Sequence, residues 1–124
     1  MKRFGLAALL VVAVGQAIGA NWQQVGDYDM WYDKDFVKQN KAGAYTTWVK
    51  MNIAGGNASC RSALYVFYAA CDDTKAALLD SVCYSGPNLQ GTKTPIADEL
   101  VSTAPGSSFA LLQETLCKKW YKVW

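Results

Sequence analysis

The stretch "RSALYVFYAAC", residues 61–71, constrains the fold more than any other part of the chain. Side chains alternate between the two faces of a strand. Leu64, Val66 and Tyr68 then share one face, and Tyr65 and Phe67 share the other. Both faces are apolar, which predicts a central strand covered on two sides. The chain offers one good helix to supply cover. The second face therefore needs long loops or a second copy of the protein.

Period-two alternation recurs on either side. In "DYDMWYDKD", residues 27–35, Tyr28, Met30 and Tyr32 fall on one face and Asp27, Asp29, Trp31 and Asp33 on the other, which predicts a half-buried strand over 27–33. A short strand is expected in "NWQQVG" before it, and a turn with one helical turn around Phe36 after it. "AYTTWVKMN" alternates as well, with Tyr45, Thr47, Val49 and Met51 opposite Ala44, Thr46, Trp48 and Lys50. An antiparallel register with Trp31 facing Trp48 would set Asp33 beside Thr46 and Asp29 beside Lys50. Aromatic and opposite-charge pairs of this kind contribute a few tenths to about 1 kcal/mol each.

"AALLDSVCYS" reads as the strand returning after the "DDTK" turn, and "GPNLQGTKTP" as a loop with a short edge strand. Near the end, Ser107 or Ser108 can cap a helix just after Pro105 and Gly106. Phe109, Leu112, Leu116 and Trp120 then recur at helical spacing as one apolar stripe. Lys118, Lys119 and Lys122 suit the negative end of the helix dipole. Several strands followed by one helix predict an α+β fold: an antiparallel sheet with one C-terminal helix on one face.

The first residues are expected to lie outside that fold. Lys2 and Arg3, the apolar run "LAALLVVAV" and the small residues of "GQAIGA" have the layout of a secretory signal peptide, with cleavage near Ala20. The expected domain is then 21–124. The run is shorter than the roughly 20 apolar residues of a spanning helix, and no second stretch is long enough. With Lys2 and Arg3 removed, the basic residues equal the 10 Asp and Glu. A near-neutral chain lacks the cationic surplus that nucleic acid requires. Export to an oxidising compartment predicts two disulfides among Cys60, Cys71, Cys83 and Cys117, and spacing leaves three pairings open.

The chain has no histidine. That excludes Ser–His–Asp and Cys–His catalysis and every His-based metal site. Asp27, Asp29, Asp33 and Asp35 do not make a calcium loop, because bulky Phe36 and Val37 stand where turn residues are needed. Acids on one strand also do not face each other across a cleft, as a glycosidase requires. No enzyme, cofactor or metal is expected.

Taken in order, "NWQQVGDYDMWYDKDF", "AYTTWVKMN", Cys71 after an apolar strand, the strand carrying Tyr84, and "APGSS" leading to Cys117 resemble the surface-adhesin protein E family of small exported bacterial proteins. The resemblance implies a C-terminal helix tethered by Cys71–Cys117, which leaves Cys60 with Cys83. It also implies adhesion to host extracellular-matrix proteins, dimer formation, and a place in the periplasm or on the outer surface of a Gram-negative bacterium. The second cysteine pair and the lack of a lipid-attachment cysteine depart from the family pattern. Trp31 and Trp48, with Asp29 and Lys50, are the candidate partner-binding residues. A periplasmic module that binds a glycan or an envelope protein, or blocks a lysozyme-type enzyme, is the second reading. Which face the helix covers decides between a structural and a binding role for the two tryptophans.

Overall fold

The computed structural model describes residues 21–55 and 59–119. The expected signal peptide, Trp120 and Lys122 lie outside them.

Eight strands form one antiparallel sheet: β1 (Trp22–Gln24), β2 (Met30–Asp33), β3 (Lys38–Gln39), β4 (Tyr45–Asn52), β5 (Ser62–Ala69), β6 (Lys75–Tyr84), β7 (Lys93–Pro95) and β8 (Glu99–Ser102). Helix α1 (Ser108–Lys119) follows, and a 3-10 turn occupies Lys34–Phe36. The sheet runs β1-β2-β4-β5-β6-β7, with β3 also on β4 and β8 also on β6. The doubly apolar strand β5 is central, paired along its length with β4 and β6.

Several expectations are corrected. The strand predicted over 27–33 begins only at Met30. Asp27, Tyr28 and Asp29 form the connection of a hairpin, because Gly26 takes a φ of +55° and turns the chain back. The Val25 N–H donates to the Met30 carbonyl at 2.9 Å and closes that hairpin. The register also differs by two residues. Trp31 pairs with Lys50 and Met30 with Met51, so Trp31 does not face Trp48. A two-residue shift preserves which side chains share a face and changes only the neighbours.

Asp33, expected on a solvated face, is fully buried. Its carboxylate accepts from the Asp35 N–H at 3.0 Å and caps the 3-10 turn.

Helix α1 covers the face carrying Tyr65 and Phe67. The Phe109 ring stacks on Phe67, with centroids 6.2 Å apart and planes 9° off parallel, and lies 6.5 Å from Tyr65. Leu112 and Leu116 join Met30, Tyr32, Tyr45, Val49, Tyr65 and Phe67 in the core. Burial first, and the charge of Glu99 second, push the Tyr65 phenol up from its ordinary pKa, and its hydroxyl sits 3.1 Å from the Met51 sulfur.

The helix is fixed at both ends. Ser107 Oγ accepts from the Ala110 N–H at 3.0 Å, an N-cap bond. Gln113 Nε2 donates to the carbonyls of Ala70 and Asp73, at 2.6 and 2.8 Å. Cys117 is bridged to Cys71, and Cys60 to Cys83, with Cα separations of 5.8 and 5.1 Å.

A bulge breaks β6. The register shifts between Leu64 and Val66, and Asp80 takes a φ of +53°. The strand bends there, and its outer edge is shared by two short strands: β7 along Val82–Tyr84 and β8 along Lys75–Leu78.

Candidate functional site: the open sheet face

The face opposite the helix follows from the pairing. Across the sheet, Gln24, Trp31, Lys50, Leu64 and Val82 form one row. Trp48, Val66 and Leu79 form the next. Trp22, Tyr68 and Tyr84 lie on the same side. Leu64 is buried, while Trp22, Trp31, Trp48, Val66, Tyr68, Leu79, Val82 and Tyr84 are half-buried. Phe67 on the helix side, next in sequence to Tyr68, is fully buried. Leu100 extends the open face beside Ala77 and is 68% exposed. No helix of the described residues lies across this face, so three tryptophans and several aliphatic side chains meet solvent together.

Lys50 stands among them. Its Nζ lies 4.7 Å from the centroid of the Trp22 ring and 5.6 Å from that of Trp31, both within cation–π range. Burial against its neighbours lowers its pKa from the ordinary lysine value.

A rim rises at one end of the face, where residues 85–92 fold back. Asn52 organises it: its Oδ1 accepts from the Asn88 N–H at 2.8 Å, and its Nδ2 donates to Asn88 Oδ1 at 3.0 Å. Ser62 Oγ donates to the Gly86 carbonyl at 2.7 Å and accepts from the Leu89 N–H at 2.9 Å. Asn88 and Leu89 both take left-handed φ values, 56° and 59°, which these bonds hold in place. Gly91, at φ +94°, also admits no side chain, since a Cβ there would strike Ser85 Oγ. Trp31, Lys50, Asn52, Ser62, Asn88 and Leu89 line a cleft of about 260 Å³ inside the rim.

Of the four residues singled out from sequence, Trp31 and Lys50 are direct cross-strand partners, and Trp48 shares their face one row away. Asp29 is elsewhere: it lies in the β1–β2 connection, and both its carboxylate oxygens accept from Asn52 Nδ2, at 3.0 and 3.2 Å. The charge pair expected between Asp29 and Lys50 is therefore replaced by an acid–amide contact. Sequence reasoning missed Trp22, Asn52, Asn88 and Leu89. Trp22 joins the Trp31 face through the hairpin at Gly26, whose only sequence signal is the glycine that interrupts the alternation. The rim residues had none, because their contact crosses 36 residues of chain.

Among the described residues no group of His, Cys, Asp and Glu could hold a metal ion, and no helix is long and apolar enough to cross a membrane.

The architecture belongs to the class of small antiparallel sheets that carry one disulfide-tethered helix on one face and leave the other face open. Solved structures with a similar fold include protein E of Haemophilus influenzae, with a TM-score of 0.62 at 10% identity over 83% of this chain and 88% of that one. The Se-Met form of protein E from the same organism gives 0.64 at 11% identity, over 83% and 90%. A crystal structure of protein E from non-typeable Haemophilus influenzae gives 0.59 at 11%, over 80% and 76%. At such identities the likeness is one of fold. No family model and no curated protein sequence matches the chain.

Proposed function

We propose that this chain is an exported, non-enzymatic binding module that engages its partner through the open sheet face, with Trp31 and Trp48 as anchors. The observation that carries the reading is the placement of the helix. It packs on Phe67 and Tyr65 and leaves the tryptophan side uncovered. Contiguous, partly exposed apolar surface of this kind marks interaction sites, and tryptophan is enriched among the residues that dominate binding energy.

The shared fold supports adhesion to host extracellular-matrix proteins as the task, since that is the role the sequence resemblance implies. The acids near the face serve the fold: Asp29 holds Asn52 and Asp33 caps a turn. A second copy of the chain on the same face would give the homodimer that the resemblance also implies. A periplasmic module for a glycan or an envelope protein is the second reading, favoured by the ring-sized cleft beside Trp31.

Protease and antibody access on intact cells separates the two, with a periplasmic protein as control. The expected result is that the chain is cleaved and labelled on intact cells, and that the purified protein captures at least one member of a matrix-protein panel. Protection on intact cells would overturn the adhesin reading and leave the periplasmic one.

A further inference from the structure

Lys50 is the one charged side chain lining the cleft. Among the described residues the ion pair is Lys118–Glu114 on the helix, so no carboxylate answers Lys50. The two indoles hold its ammonium in place without neutralising it. Asp29, on the rim side, has both oxygens on Asn52.

The other polar groups of the cleft are spent on the rim. Asn52 uses its oxygen and its nitrogen on Asn88 and Asp29, and Ser62 both donates and accepts within the loop. The remaining side-chain donors are those of Lys50, the side-chain nitrogen of Asn88 and the indole N–H of Trp31. The volume, about 260 Å³, is below the roughly 300–1,000 Å³ of pockets for drug-sized ligands. It has room for one ring.

We propose that the cleft binds a sugar residue carrying a carboxylate, packed on Trp31 with the acid on Lys50 and Asn88. This rests on the reading of the open face as the binding surface, and it names a ligand class for one end of that face. The argument is complementarity. An indole offers a flat apolar wall for a pyranose ring. An unneutralised, partly desolvated ammonium makes a stronger bond to a carboxylate than a neutral donor does. One cation in a ring-sized recess suits one acidic sugar, whereas a phosphate backbone needs many cations. A glutamate side chain would satisfy Lys50 but leave Trp31 without a ring to pack on, so an acidic peptide serves as a competing outcome.

The test is titration of the ¹⁵N-labelled protein with a glucuronate-containing hyaluronan tetrasaccharide, with neutral chitotetraose and with a tetraglutamate peptide. The Trp31 indole N–H is assigned by its loss in Trp31→Phe. The expected result is a shift of that indole signal by the acidic tetrasaccharide. Chitotetraose and the peptide should bind at least about tenfold more weakly, and Lys50→Met should lose about tenfold while Lys50→Arg retains most of the affinity. Raising the salt should weaken the acidic sugar and leave the neutral one unchanged, a readout that needs no variant. Equal binding of the neutral sugar or the peptide, no effect of Lys50→Met in a folded variant, or no binding of the acidic sugar would each overturn the proposal. The same samples are assayed for matrix-protein capture. Capture that still depends on Trp31 and Trp48 while the acidic sugar fails leaves the binding face standing and removes only the sugar.

Discussion

Replacing Cys71 and Cys117 by serine is expected to cost about 4 kcal/mol of unfolding free energy, from the entropy of a loop that the bridge closes in the unfolded chain. The sequence separation is 46 residues, against 23 for Cys60–Cys83, whose loss should cost about 3 kcal/mol in the same treatment. For a domain of this size, 4 kcal/mol corresponds to a melting temperature lower by about 15–30 °C. Denaturant titration of the two serine pairs against the parent checks both values. The ranking matters beyond stability, because the longer loop joins the helix to the sheet. Without the bridge, α1 still has Phe109, Leu112, Leu116 and the two Gln113 bonds to dock it. The variant should therefore unfold earlier yet keep its helix under native conditions. Loss of helical circular dichroism in native buffer would show that the apolar contacts alone cannot dock α1.

Phe67→Ala and Tyr68→Ala provide the second large effect as a contrast. The two residues are adjacent in β5 and comparable in size, but they point to opposite faces. Phe67 is fully buried against Phe109. Truncating it removes a ring and leaves a cavity, at a cost of about 3–5 kcal/mol. Tyr68 is half-buried on the open face, where its hydroxyl accepts from Asn40 Nδ2 at 3.1 Å. Its truncation should cost about 1 kcal/mol. Chemical denaturation of both variants checks the pair. Equal costs would mean that the open face is covered in solution as firmly as the helix face.

The difference between these neighbours shows what the sequence could and could not carry. Alternation in 61–69 was enough to make β5 central, because two apolar faces have no other solution. The helix was legible from Phe109, Leu112 and Leu116 and from a serine placed to cap them. The hairpin at Gly26 was not, since Asp27, Tyr28 and Asp29 continue the alternation of the following strand and only the glycine's backbone interrupts it. Register failed by two residues for a related reason: Trp31 opposite Trp48 and Trp31 opposite Lys50 satisfy the same face pattern, and the choice rests on the whole set of backbone bonds from β2 to β5. β8 was missed because Leu100 and Val101 fall on opposite faces of a short polar segment. At the site, the tryptophans were visible as residue types in alternating strands. Their exposure was not, because it depends on the side from which a helix beginning 60 residues after Trp48 comes down. The Asn52–Asn88 clamp has no local signature, since each amide alone reads as a turn former.

The most direct test of the binding face is capture by the Trp31→Ala, Trp48→Ala double variant. Both side chains lie on the uncovered face and away from the core, so the variant should fold with nearly the parent's circular dichroism. The expected result is loss of matrix-protein capture by at least about 30-fold, the effect of removing one interface hot spot. Phe36→Ala, an exposed ring in the 3-10 turn, serves as the control and should leave capture unchanged. A folded double variant that captures its partner as well as the parent would contradict the assignment of the open sheet face as the binding surface.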